Sequence, residues 1–107
     1  MTPKPPASPK HLSSKARSLW RSVLADYRLE PHHLAILQAA CEALDRASEA
    51  RAAIDRDGAY VEGRFGTKAH PALAIERDSR TQFLRALREL GLDLETPTTS
   101  RPPSRWR

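Results

Sequence analysis

Arg17, Arg21 and Arg28 fall within about 40° of one another when the chain around them is wound at about 100° per residue. Guanidinium groups set in such a row suit phosphate oxygens, which they hold as a fork. An ordinary solvated helix edge has the same pattern. Lys4, Lys10 and Lys15 lie nearby with no acid among them, so residues 1–17 carry four positive charges. At the other end Arg101, Arg105 and Arg107 stand against Glu95 alone. The whole chain is +5, so the stretch between these ends is close to neutral. Basic ends on a neutral body suit a polyanion, and solvated tails are the plain alternative. These nine residues, Lys4, Lys10, Lys15, Arg17, Arg21, Arg28, Arg101, Arg105 and Arg107, are the candidate nucleic-acid contacts.

Other chemistries find less support. The histidines are His11, His32, His33 and His70. The adjacent pair points to different faces of a helix, whereas helical metal ligands usually sit three or four apart. No Ser-His-Asp set or paired carboxylate is legible, so neither catalysis nor a metal is expected. Gly58 and Gly63 have the outer spacing of a phosphate loop, but Arg64-Phe65 follow where Lys and Ser or Thr are required, which argues against ATP. No cofactor is expected. Cys41 is alone, which excludes an internal disulfide and a multi-cysteine zinc site. No apolar run approaches the roughly 20 residues of a membrane span. Three prolines by position 6, with no apolar core, do not fit a signal peptide, so the cytosol is the default compartment.

Three helices must position these residues. Residues 1–12, with four prolines, read as a flexible basic arm. Ser13 or Ser14 caps a helix reaching about Tyr27, with Ala16, Leu19, Trp20, Val23, Leu24 and Tyr27 on its apolar stripe. Arg28 to Glu30 form a short turn. Pro31 then opens a long alanine-rich helix to Arg56. The short turn permits a helix-turn-helix reading, but Gln38 is the only amide on the second helix, which disfavours base reading there.

On the long helix Leu34, Ile36, Leu37, Ala40, Cys41, Leu44, Ala47 and Ile54 share a broad arc of mostly small residues, opposite Gln38, Glu42, Asp45, Arg46 and Glu49. An arc this wide predicts packing on more than one neighbour. Arg51 intrudes on it, either snorkelling to water or pairing across a subunit interface. Asp57-Gly58 close the helix. Tyr60-Val61 and Arg64-Phe65, flanking Glu62-Gly63, read as a β-hairpin or an irregular loop. His70-Pro71 start the last helix, which runs through Leu90 to a stop at Gly91. Leu73, Ile75, Phe83, Leu84, Leu87 and Leu90 form its apolar side. Arg80 lies within that side, with Glu76 or Asp78 as partner.

The expected fold is therefore mainly α, with residues 13–92 as the helical domain and 93–107 as a Pro/Arg-rich tail. About 80 residues make a marginal interior, and self-association is a common remedy. Leu37, Leu44, Arg51, Ile54, Arg80, Phe83 and Leu87 are the candidate oligomer contacts.

The run His70-Pro71-Ala72-Leu73-Ala74-Ile75-Glu76-Arg77-Asp78, followed by Leu87-Arg88-Glu89-Leu90-Gly91-Leu92, resembles the closing signature of phage terminase small subunits. Leu29-Glu30-Pro31, the alanine-rich stretch Ala40 to Ala47 and the loop Gly58 to Gly66 fit the same pattern. The similarity spans about residues 13–105. His70 stands where that family often has Asn, and Asp93 to Pro97 intervene before Ser104-Arg105. The resemblance implies a homo-oligomeric ring in the host cytoplasm. It would bind double-stranded viral DNA at the packaging start and pass it to a large subunit bearing the ATPase and nuclease. The competing reading is a helical adaptor that binds the large subunit or another acidic protein and touches DNA little.

Overall fold

The computed structural model describes residues 5–92. The order of elements is α1 (Ser14–Asp26), α2 (Pro31–Asp57), β1 (Tyr60–Gly63), β2 (Gly66–Ala69) and α3 (Ala72–Glu89). The mainly α expectation holds, with a two-stranded antiparallel hairpin before the last helix.

Local chemistry sets each boundary. The Ser13 hydroxyl caps α1 by accepting from the Ala16 amide at 3.1 Å. Pro31 occupies the first turn of α2, where its missing donor costs nothing. At the far end Gly58 takes φ 88° and its amide donates to the Ile54 carbonyl at 2.7 Å. The end of α3 is a left-handed glycine cap: Gly91, at φ 77°, donates to the Arg88 carbonyl at 2.9 Å, and Leu92 to the Leu87 carbonyl at 2.8 Å. That turn folds Leu92 back, where it is buried in the core.

The helix α2 is the spine, with 27 residues and a length of about 40 Å. It packs on two neighbours, as its wide arc predicts. One flank presents Leu37 and Cys41 to Ala16, Trp20, Val23 and Leu24 of α1, forming the main core. The other flank runs along α3; Ala43 and Ala50 of α2 and Ser79 and Ala86 of α3 are all buried. Such small side chains let two helix backbones approach closely. A second, smaller cluster joins Ala50 and Ile54 to Ala72 beneath the hairpin.

Three features differ from the sequence expectation. The hairpin turns at Arg64-Phe65 rather than Glu62-Gly63, because Gly63 pairs with Gly66 across the strands. A Cβ on Gly63 would meet the Gly66 carbonyl oxygen at 3.1 Å, and Gly66 itself takes φ 111°, so two glycines bracket the turn. The apolar side of α3 is narrower than the wheel suggests: Ile75 and Leu84 are exposed, and the small residues do the close packing.

The third difference concerns the N-terminal segment. Its residues 5–12, read as part of a flexible arm, lie against the core. Leu12 is only 3% exposed and belongs to the main cluster. The Trp20 indole Nε1 donates to the Pro6 carbonyl at 3.0 Å. Replacing Leu12 by Ala should therefore destabilise the protein by about 2–3 kcal/mol in urea unfolding. A solvated arm would show almost no change.

Candidate nucleic-acid interface

The outward face of α1 is built from Lys15, Ser18, Arg21 and Ser22, all exposed. Spacings of three and four put them on one side of the helix, opposite the stripe that packs on α2. The first acid on α1 is Asp26, its last residue. Two cations and two hydroxyls on one face can hold phosphate oxygens by charge and by hydrogen bonds, and the Asp26 carboxylate, exposed one turn beyond Ser22, marks the end of that surface. The serines, Ser18 between Lys15 and Arg21 and Ser22 just after it, escape a sequence search focused on charge.

The N-terminal segment adds to this surface and is held by α2. His11 Nε2 lies 2.7 Å from a Glu42 carboxylate oxygen. The Ser13 amide donates to Asp45 at 2.8 Å, and the Ser13 hydroxyl donates to the other oxygen of the same carboxylate. Hydrogen bonds from Gln38 and then His11 hold the Glu42 carboxyl below its ordinary range. Two acids of the long helix are thus occupied in fastening the chain that precedes α1. The contact spans about 30 residues of sequence, so no local pattern announces it.

The three-arginine row does not survive folding. Arg17 is half-buried and its Nη2 donates to the Lys10 carbonyl, while its Nε is buried with no hydrogen-bond partner among the described residues. Its guanidinium fixes the backbone next to Lys10 instead of facing outward. Arg28 leaves the row because α1 ends at Asp26 and Tyr27 is already extended, at φ −130°. Arg21 stays exposed beside Pro6 and Trp20. Lys10 and Lys15 are exposed as well, and neither they nor Arg21 form an ion pair among the described residues. Lys4, Arg101, Arg105 and Arg107 lie outside the described residues.

Of the candidate oligomer contacts, Leu37 and Ile54 are buried inside the protomer and leave no surface to offer a partner. Leu44, Phe83 and Leu87 are half-buried. Arg51 is exposed and pairs with Asp55 at 3.2 Å, one turn along α2. Arg80 is exposed and pairs with Glu76 at 3.2 Å, one of its two anticipated partners.

Two further groups tie elements together. The Cys41 thiol donates to the Ala16 carbonyl at 3.5 Å. Burial first, then Asp45 and Glu42, push its pKa up to about 11, so it serves as a packed hydrophobe and not a nucleophile. At the opposite end His70 Nδ1 accepts from the Ala72 amide at 2.9 Å, and its Nε2 donates to Asp57 at 2.9 Å. One imidazole thereby supports the start of α3 and binds it to the end of α2.

The fold and this surface define a small, mainly helical protein whose most evident chemistry is exposed positive charge. The chain belongs to the phage terminase small subunits: the family described as "Phage terminase, small subunit" matches residues 16–102. Neither the curated proteins nor the solved structures give a match. Membership assigns the chain a role in phage DNA packaging. The family is generally non-catalytic and generally works with DNA and a large terminase subunit. Among the described residues no helix is long and apolar enough to cross a membrane.

The Asp57 carboxyl is held well below the usual carboxylate range by hydrogen bonds from Arg56 and then His70. A lowered folded pKa contributes stability above the unfolded value of about 4, which is lost as pH falls below it. In urea titrations between about pH 6 and pH 2, Asp57→Asn should lower the midpoint at the upper end and flatten its acid decline. An unchanged acid limb would show that the link carries no stability.

Proposed function

We propose that this small terminase subunit binds double-stranded viral DNA at the packaging start, as a homo-oligomeric ring in the host cytoplasm. It then delivers the DNA to the large subunit, which carries the ATPase and nuclease. The observation that supports DNA contact is the outward face of α1, where Lys15, Ser18, Arg21 and Ser22 are exposed and the one acid of the helix, Asp26, stands at its far end, with Lys10 also exposed. Lys4, Arg101, Arg105 and Arg107 would add phosphate contacts from the two ends of the chain. Arg17 acts as a positioning residue for Lys10, not as a contact.

Self-association is supported by the small interior. Among the described residues Leu37 and Cys41 are the largest side chains buried completely, while alanine supplies much of the remaining core. Exposed Ile75 and Leu84 on α3, with half-buried Leu44, Phe83 and Leu87, leave apolar surface for a neighbour. A ring then sums weak cationic contacts, because linked subunits bind at high effective concentration.

Lys4, Lys10, Lys15, Arg21, Arg101, Arg105 and Arg107 would give a log–log salt slope of about −6 per chain on duplex DNA. A fourfold rise in salt should therefore weaken binding by more than ~10³. Replacing Lys15 and Arg21 together by Ala should weaken all sequences alike and reduce the slope by about 2. A flat salt response, with retained binding to the large subunit, would instead favour the adaptor reading.

A further inference from the structure

The hairpin ends in a side chain that the protomer does not use. Phe65 is 95% exposed at the turn, with the Arg64 guanidinium 5.5 Å from its ring centre. Strand register rests on the Gly63–Gly66 pair, so nothing in the hairpin itself requires an aromatic residue there. A solvent-exposed phenyl ring beside an arginine has the composition of an interface anchor.

The α2–α3 pair carries an open groove at its other end. Ala35, Ile36, Ala39 and Ala86 supply the apolar lining of an open groove of about 380 Å³, and Arg85 and Glu89 are its charged members. From Ala39 to Asp57 the spine rises about 27 Å. A chain's own Phe65 therefore stands a helix-length away from its own groove, and an occupant must come from another molecule.

The charges identify which molecule. Glu62, on β1, and Arg64, in the turn, lie two positions apart and are both exposed. Arg85 and Glu89 lie one turn apart on α3, about 6 Å. The two pairs are opposite in sign when Arg64 meets Glu89 and Glu62 meets Arg85. A duplex would offer the hairpin acid only repulsion and would leave the groove empty, whereas a second copy of this chain satisfies both surfaces.

We infer that Phe65 inserts into the α2–α3 groove of a second copy of this chain, with Arg64 on Glu89 and Glu62 on Arg85. The contact is head to tail, since each chain offers its hairpin at one end and its groove at the other. Repeated contacts of this kind close into a ring when the rotation between neighbours permits it. The inference rests on the proposed self-association and names the surfaces that carry it.

Native mass spectrometry of the full chain tests it, with circular dichroism to confirm that the helices are retained. The wild type should assemble, whereas Phe65→Ser and Arg64→Glu should each weaken assembly at least tenfold. The double variant Arg64→Glu/Glu89→Arg should restore it, because the charge pair is exchanged between surfaces. If the wild type assembles and Phe65→Ser assembles equally well, this contact is wrong while the ring reading stands. Loss of DNA affinity in Phe65→Ser with unchanged mass would assign the hairpin to DNA and overturn the inference. A monomeric wild type would remove the ring reading and this contact together.

Discussion

The constraint on which the structure depends is the packing of one long alanine-rich helix between two others. On the α1 side, Leu37 and Cys41 are fully enclosed, and the thiol reaches the Ala16 carbonyl across the helix pair. On the α3 side the buried residues of α3 are alanines and a serine, whose small side chains allow two helix backbones to approach closely, with Leu87 and Leu90 packed on the main cluster. Dispersion gains from close contact are individually small, and few bulky residues add to them. A protomer of this kind is complete in fold but short of apolar burial, which is the condition that favours association with copies of itself.

The same spine sorts the charges. Its polar face receives the N-terminal segment through Glu42 and Asp45, so two acids are occupied where they face His11 and Ser13. Arg17 turns inward to hold the Lys10 carbonyl, and the remaining cations of α1, Lys15 and Arg21, face solvent with Ser18 between them and Ser22 beside them. What a count of charges presents as an undifferentiated basic end is, once folded, a division of labour. Some charges fasten the chain and others remain on the surface.

Much of the fold was legible because its signals are local. Pro31 and Gly58 delimit the long helix, Ser13 caps the first, and Gly91 ends the last. Each follows from the conformational limits of one residue type. The turn of the hairpin was misplaced by two residues, since either of two glycine-containing arrangements satisfies the pattern and only cross-strand crowding at Gly63 distinguishes them. The row of three arginines failed for a related reason: a helical wheel extends past the point where Tyr27 turns extended, and it cannot foresee a backbone carbonyl claiming Arg17. The docking of residues 5–12 was hidden because prolines signal the absence of regular structure and say nothing about whether an irregular segment is packed. The exposed candidates Lys10, Lys15 and Arg21 were found from charge, whereas Ser18 and Ser22 became part of the surface only when the helix face was seen.

A terminase small subunit of this design would gain stability and DNA contacts from the same event, the addition of neighbours. Folding and assembly are then linked, and the stability of the helices depends on how much protein is present. The direct measurement is thermal unfolding of the full chain, followed by circular dichroism from about 1 to about 100 μM. The account predicts a Tm that rises by several degrees across that range. A Tm independent of concentration, with a stable single chain throughout, would contradict it.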